Sequence, residues 1–166
     1  FTLNTTMATL DKNQHIVAKQ TNPAAPIVIN ITEFKQTVFV SKCVGTVVQV
    51  VGKCNSIVIE GCRQTNVVFE DIVSTVDIIN GNKVNVQANG VLPTINVEKS
   101  SGVNVYLSSA ASRSAEVVTS LSSEVNLVIP GATENDDPKE HALPYQFISK
   151  LVGGKVETKA VEHSGN

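Results

Sequence analysis

Apolar residues recur in spaced pairs through the middle of this 166-residue chain. Two interleaved series each advance by nineteen residues, at positions 38, 57, 76 and 95 and at positions 48, 67, 86 and 105. The pairs are Val38-x-Val40, Ile57-x-Ile59, Val76-x-Ile78, Ile95-x-Val97, Val48-x-Val50, Val67-x-Phe69, Val86-x-Ala88 and Val105-x-Leu107. Such alternation is typical of strands with one buried face, and a fixed period indicates a repeat architecture. Two short strands per repeat therefore predict coils that stack as a parallel β-helix.

The repeat divides a single domain, residues 1–166, into four segments. Residues 1–26 are polar and are expected to form an irregular lead-in. Residues 27–129 carry the repeat and predict the β-helix. Residues 130–144 hold three prolines and an acidic run, which indicate a surface loop. The remaining residues, 145–166, are expected to form a dimerising hairpin.

The two ends of the repeat set the number of coils. Ile29 and Ile31 lie nineteen residues before Val48 and Val50, so we expect the first coil to hold them. The Ser- and Ala-rich stretch 108–115 lengthens the later spacing, which predicts a bulged coil. The stack then contains about five to six coils and is on the order of 25 Å tall at strand spacing.

The C-terminal segment does not follow the nineteen-residue register. Gly153-Gly154 separates two strand-like runs, Phe147–Val152 and Lys155–Val161, and this pattern predicts a β-hairpin. Open ends of a β-helix invite edge-to-edge association, and exchange of identical elements is a low-cost route to a twofold dimer. We therefore hypothesise that this hairpin is exchanged in a homodimer. The residues expected to dimerise are Phe147, Ile148, Leu151, Val152, Val156, Thr158, Ala160 and Val161.

The same spacing places polar and sulfur-containing side chains in columns. Asn66, Asn85 and Asn104 are nineteen residues apart, so their amides are expected to form a ladder between coils. Cys43 and Cys62 are also nineteen apart. Their separation of roughly 5 Å permits a bridge in principle, but two buried thiols are the simpler interpretation. An odd total of three cysteines favours a reducing, cytoplasmic setting.

Composition excludes several classes of function. A net charge of −2 provides no basic stripe for nucleic acid, and no apolar run approaches the roughly eighteen residues of a membrane-spanning helix. No glycine-rich phosphate loop or zinc-site spacing occurs, so no cofactor or metal is expected. The three histidines lie outside the repeat and are expected in loops or at the terminus: His15, His141 and His163.

Two kinds of catalytic candidate come from the repeat. Some β-helix proteins cleave polysaccharides with carboxylates on one face, and the candidates here would be Asp77, Glu60 and Glu98. However, Glu60 and Glu98 are expected two coils apart in one column. Their separation of roughly 10 Å exceeds that of the usual acid/base pair, and solvated corners explain them better. Arg63 suits an arginine finger acting on a GTPase, or alternatively a solvated corner. We assign no catalytic residue and expect a protein that is not an enzyme.

Several segments resemble a known family, the C-terminal domain of cyclase-associated proteins. They are Lys42-Cys43-Val44, Gly52-Lys53-Cys54-Asn55-Ser56-Ile57, Asp77-Ile78-Ile79-Asn80, Val84-Asn85-Val86-Gln87 and Lys99-Ser100-Ser101-Gly102. The resemblance covers nearly the whole chain. It departs near the start, where members usually carry a Trp and this chain has Asn13-Gln14-His15-Ile16.

The resemblance implies a fold and a function. The family's domain is a right-handed parallel β-helix that dimerises by exchanging its C-terminal strands. It binds ADP-loaded actin monomers and promotes exchange of their ADP for ATP, which implies a cytoplasmic, cytoskeleton-associated protein. Two alternatives remain open. One is a GTPase-activating β-helix of the tubulin-cofactor type, although that family's Gln-x-Arg pattern is reversed here as Arg63-Gln64. The other is a purely structural dimerisation scaffold.

The expected actin-binding face lies on the strand 84–88 and its neighbours. Its outward side chains are polar or aromatic, and lysines occupy the adjacent corners. The residues expected to contact actin are Asn82, Lys83, Asn85, Gln87, Lys99 and Tyr106. A polar, partly basic face of this kind suits a protein surface rich in acidic groups.

Overall fold

Sixteen strands and one short 3-10 turn form the part of the chain that this computed structural model describes, residues 7–162. The strands are β1 Thr9–Asp11, β2 Gln14–Ala18, β3 Ile27–Asn30, β4 Thr37–Ser41, β5 Val47–Val51, β6 Ser56–Glu60, β7 Arg63–Phe69, β8 Thr75–Ile79, β9 Asn82–Ala88, β10 Thr94–Glu98, β11 Ser101–Leu107, β12 Glu116–Ser120, β13 Ser123–Ile129, β14 Lys139–Ala142, β15 Phe147–Val152 and β16 Lys155–Ala160. The 3-10 turn is Ala110–Ser114.

Two seven-stranded sheets face each other across the core. The first sheet has the order β1-β2-β4-β6-β8-β10-β12, and the second sheet has the order β14-β13-β11-β9-β7-β5-β3. Each coil contributes one strand to each sheet, and the strands of successive coils pair in parallel. The described chain is therefore a parallel β-helix of six coils, as the repeat predicts.

The register of the central coils confirms the nineteen-residue period. Ile57 pairs with Val76, and Val76 pairs with Ile95. The next step is longer, since Ile95 pairs with Val117 across the coil that contains the 3-10 turn. Three additional residues are thus accommodated in the loop while the strands remain paired. The lengthened coil expected around 108–115 is confirmed.

The core consists of the alternate side chains that both sheets turn inward. It is built almost entirely from Val and Ile, with Phe69 as its largest fully buried side chain. β-branched side chains pack well on a pleated surface, and stacking places similar volumes above one another. Few aromatic residues are needed because each coil is filled by short aliphatic side chains.

The stack begins earlier than the apolar pattern indicates. β2 pairs in parallel with β4, and β1 covers its outer edge in antiparallel pairing, so the expected irregular lead-in contains two strands. His15 lies in β2, where its Nε2 is 2.9 Å from the Gln36 Oε1, and not in a loop as expected. Residues 1–6 of the lead-in and residues 163–166, including His163, lie outside the described residues.

The register expected for the first coil is wrong by two residues. Ile27 pairs with Val48 and Ile29 with Val50, rather than Ile29 and Ile31. The loop 31–36 contains the two additional residues. An even shift keeps the same side chains facing the core, so the apolar pattern alone does not reveal it.

The C-terminal region combines a cover strand with a separate hairpin. β14 pairs antiparallel with β13, so the expected loop 130–144 ends in a strand that covers the last coil. Among the strands of residues 7–162, β15 and β16 pair only with each other, joined by Gly153 and Gly154 with φ of 57° and 78°. Positive φ at both turn residues matches the two-residue hairpin turn that the sequence predicts. The expected hairpin is confirmed.

Truncation of the largest core side chain tests the packing. We expect Phe69→Ala to lower the free energy of unfolding by about 3–5 kcal/mol, because the side chain is fully buried between the sheets. Its half-buried neighbour Val68 points outward. We expect Val68→Ala to lower the free energy of unfolding by less than about 1.5 kcal/mol. Urea denaturation followed by circular dichroism measures both. Equal losses for the two variants would contradict the inward placement of Phe69.

Candidate functional site

An amide ladder runs across the outer face of the second sheet. The Nδ2 of Asn85 donates to the Oδ1 of Asn66 at 3.0 Å, and the Nδ2 of Asn104 donates to the Oδ1 of Asn85 at 3.0 Å. Asn126 continues the column, donating to Asn104 at 3.1 Å. The expected ladder is confirmed. Asn126 was missed because the lengthened coil places it twenty-two residues after Asn104.

Gln87 and Tyr106 lie beside the ladder on the same face. They are direct partners in the pairing of β9 with β11, and both are half-buried. The Nε2 of Gln87 donates to the Oδ1 of Asn89 at 2.9 Å, which orients its amide. Together with Asn66 and Asn85, these side chains line a shallow depression of about 260 Å³. The depression provides hydrogen-bonding groups around one aromatic ring.

The predicted corner residues lie at or just before the start of second-sheet strands and do not line this depression. Asn82 begins β9, and Lys83 follows it with a left-handed φ of 54°. Lys99 lies at the same corner one coil on, with a φ of 50°. All three side chains are exposed. Asn82 and Lys83 lie on the same strand as Asn85 and Gln87, and Lys99 lies two residues before the strand that carries Tyr106.

The candidate carboxylates have structural partners elsewhere. Asp77 faces outward from the first sheet and accepts hydrogen bonds from Asn96 at 2.7 Å and Thr75 at 3.1 Å. Glu60 accepts from the Ser41 hydroxyl at 3.0 Å. These bonds link neighbouring coils or neighbouring residues of one strand. Within residues 7–162 no group of three or more His, Cys, Asp or Glu side chains is placed to hold a metal ion.

The three cysteines are free and fully buried. Hydrogen bonding from Cys62 lowers the pKa of Cys43 to about 7, against the opposing effect of burial. The same contact, together with burial, raises the pKa of Cys62. Burial alone raises the pKa of Cys54 to about 11. Cys43 and Cys62 are stacked as free thiols, as the sequence favours.

The hairpin presents an apolar face without a partner strand. Pairing of β15 with β16 places Leu151 opposite Val156 and Phe147 opposite Ala160 on one side. Between them, the hydroxyls of Ser149 and Thr158 are 2.9 Å apart. Every strand residue of the hairpin is exposed. The apolar residues expected to dimerise include Phe147 at 58% exposure and Leu151 at 77%.

The other residues expected to dimerise lie on the same hairpin. Ile148 and Val152 occupy its opposite, more charged face, and Val161 is half-buried directly after β16. The hairpin thus exposes apolar side chains on both of its faces. Separately, no helix among the described residues has the length and apolar character needed to cross a membrane.

Comparison with known proteins places this β-helix in a family. The family model described as "Adenylate cyclase associated (CAP) C terminal" matches residues 4–163. This chain belongs to that family. It is 43% identical to "Adenylyl cyclase-associated protein" of Dictyostelium discoideum over 82% of its length. It is 42% identical to "Adenylyl cyclase-associated protein 1" of Homo sapiens over 84% of its length.

The match to cyclase-associated proteins extends to the fold. The structure described as "Crystal Structure of Cyclase-Associated Protein from Cryptosporidium parvum" is similar with a TM-score of 0.87 and 35% identity. That similarity covers 93% of this chain and 94% of the other chain. By contrast, this chain spans 29% of the length of each of the two curated relatives.

Loss of one ladder amide tests its structural role. We expect Asn85→Ala to lower the free energy of unfolding by about 1 kcal/mol, because two inter-coil hydrogen bonds are lost at a half-buried position. Gln49 is exposed on the same face, and Gln49→Ala is expected to change the free energy of unfolding by less than about 0.5 kcal/mol. Urea denaturation measures both. No loss in the Asn85 variant would show that water replaces the ladder without penalty.

Proposed function

We propose that this domain binds ADP-loaded actin monomers through the outer face of the second sheet and promotes exchange of their ADP for ATP. The observation that carries the proposal is the gathering of Asn82, Lys83, Asn85, Gln87, Lys99 and Tyr106 on one side of a family member's β-helix. Polar groups and exposed lysines around one aromatic ring suit an acidic protein surface.

Exchange by this route needs no covalent chemistry. A binding protein shifts an equilibrium only by its differential affinity for two states. The domain therefore binds more tightly to an actin conformation with a loosened nucleotide cleft, from which ADP leaves faster. The site acts by contact alone and requires no cofactor. This activity places the protein in the cytoplasm, associated with the cytoskeleton.

The functional unit in this proposal is a homodimer. Exchange of the C-terminal hairpin covers the exposed apolar side chains of β15 and β16 against a second copy. Open strand edges are a second reason to expect a dimer. Within the described residues, β12 and β3 each have a neighbour on one side only, and Val118 of β12 is 50% exposed. Unpaired edges of this kind favour association with another strand.

Release of a fluorescent ADP analogue from actin tests the activity. We expect the domain to raise the release rate in a saturable way. Lys83→Ala with Lys99→Ala is expected to weaken actin binding several-fold, because two exposed cations leave the proposed face. Lys35→Ala with Lys53→Ala removes two exposed lysines elsewhere and is the control. If the domain does not bind ADP-actin and does not accelerate release, the proposed function is wrong.

Charge on the apolar face of the hairpin tests the dimer. Sedimentation equilibrium at micromolar concentration is expected to give twice the mass of one chain for the unsubstituted protein and one chain mass for Leu151→Glu. The reason is that Leu151 is 77% exposed on the hairpin's apolar face. Val73→Glu introduces the same residue at an exposed apolar position outside the hairpin and is expected to remain dimeric. A monomeric unsubstituted protein would overturn the exchange.

A further inference from the structure

The corner between the first-sheet strand and the second-sheet strand holds two left-handed residues in all six coils. Each of the two forms a column along the stack. The first column is Lys19, Lys42, Gly61, Asn80, Lys99 and Leu121, with φ from 50° to 65°. The second column is Asn22, Gly45, Gln64, Lys83, Gly102 and Glu124, with φ from 44° to 74°.

Lysine is an unexpected residue at these positions. Gly adopts a left-handed conformation without penalty and Asn adopts it readily, whereas other residues lose roughly 1–2 kcal/mol. Gly and Asn occupy five of the twelve positions, and lysine occupies four: Lys19, Lys42, Lys83 and Lys99. The chain therefore keeps cations where residues better suited to the backbone are available. Such backbone strain is often associated with function.

Together with Arg63, these lysines supply one cation per coil over five successive coils. Arg63 lies between the two columns, in a parallel bridge with Val44. We call this row the basic ridge: Lys19, Lys42, Arg63, Lys83 and Lys99. All five side chains are exposed, and none forms an ion pair with another residue of the range 7–162. At strand spacing the ridge is about 19 Å long.

The repeat distance of the ridge indicates what it binds. Coils follow one another at about 4.8 Å, close to the 5.4 Å pitch of an α-helix. The cations are also displaced sideways, because Lys83 lies in the second column, Arg63 lies between the columns, and the other three lie in the first. An acidic residue on each turn of a helix lying along the ridge therefore meets a cation in each coil, and the long side chains span both the sideways displacement and the small mismatch in spacing. Carboxylates so presented are complementary to the ridge in both charge and spacing.

The surroundings of the ridge disfavour a polyphosphate. Glu60 and Glu98 occupy the column next to Lys42 and Lys99, so a continuous phosphodiester chain meets repulsion along its length. Single-stranded nucleic acids also stack on aromatic platforms, and none of the ridge positions is aromatic. A protein surface of mixed charge tolerates the flanking carboxylates.

We propose that the basic ridge docks an acidic helical face of the actin monomer, with Lys19, Lys42 and Arg63 extending the contact beyond Lys83 and Lys99. This inference rests on the proposed function, because that function supplies the partner. The ridge acts mainly on encounter, since exposed charges steer association more than they slow dissociation. Coils one to three thus take part in binding as well as the strands around Asn85.

Charge reversal of the added cations tests the ridge. We expect Lys19→Glu/Lys42→Glu/Arg63→Glu to slow association with ADP-actin at least tenfold at low salt, and the salt dependence of the association rate to flatten. The variant should fold, because Glu124 already occupies a left-handed position at this corner. Lys12→Glu/Lys35→Glu/Lys53→Glu makes the same change in net charge at other exposed positions and is the control.

A second variant separates charge from folding. Lys19→Gly/Lys42→Gly removes two cations and relieves left-handed strain, so its thermal midpoint should not fall while association slows. Stopped-flow fluorescence measures association, and calorimetry measures the midpoint. A synthetic helical peptide with glutamate on each turn and a single-stranded oligonucleotide serve as probes of the partner class, and the peptide should bind more tightly.

The outcomes distinguish this proposal from the one on which it rests. If the unsubstituted domain binds ADP-actin and the ridge variant associates equally fast, the proposal that the ridge contacts actin is wrong, whereas the proposed function stands. An equal loss in the ridge variant and its control would also overturn the ridge, since net charge then explains it. Tighter binding of the oligonucleotide than of the peptide would contradict the choice of a protein partner. If the unsubstituted domain does not bind actin, both the proposed function and the ridge proposal are wrong.

Discussion

Parallel pairing of each coil with the next is the constraint on which the rest of this structure depends. Parallel strands lie about 4.8 Å apart, so every residue is placed directly above its counterpart in the previous coil. Ile57, Val76 and Ile95 form one such column inside the stack. A column inside the stack must hold side chains of similar volume, since protein interiors are close-packed.

The same constraint organises the outer surface. Asn66, Asn85 and Asn104 satisfy one another because stacking brings each amide within reach of the next. The ridge lysines follow from stacking too, because every coil repeats a corner with two left-handed residues and four lysines occupy these positions. A β-helix therefore presents rows of chemically similar groups, and rows suit extended contacts with another protein better than a compact catalytic pocket.

The ends of the stack have no further coil to pair with. β1 and β14 each cover one sheet edge with an antiparallel strand, but β12 and β3 retain an open edge within the described residues. The hairpin of β15 and β16 begins near β12, since Phe147 and Thr119 line one depression, and it carries exposed apolar residues such as Leu151. Coverage of edges and coverage of the hairpin are thus related requirements. The exchanged dimer that we propose would meet the requirement at the hairpin and at one end of the stack.

The sequence by itself determined the architecture, the inward and outward side chains, the amide ladder and the hairpin. It did so because a constant period and strict alternation leave little freedom in where a side chain points. Only the tertiary structure decided the first-coil register, the strands β2 and β14, and the left-handed corner. These depend on loop lengths and backbone dihedrals, which alternate apolar residues do not encode. The basic ridge is visible only in the tertiary structure. Lys42, Arg63 and Lys83 share no nineteen-residue column in the sequence, and the corner places them in successive coils.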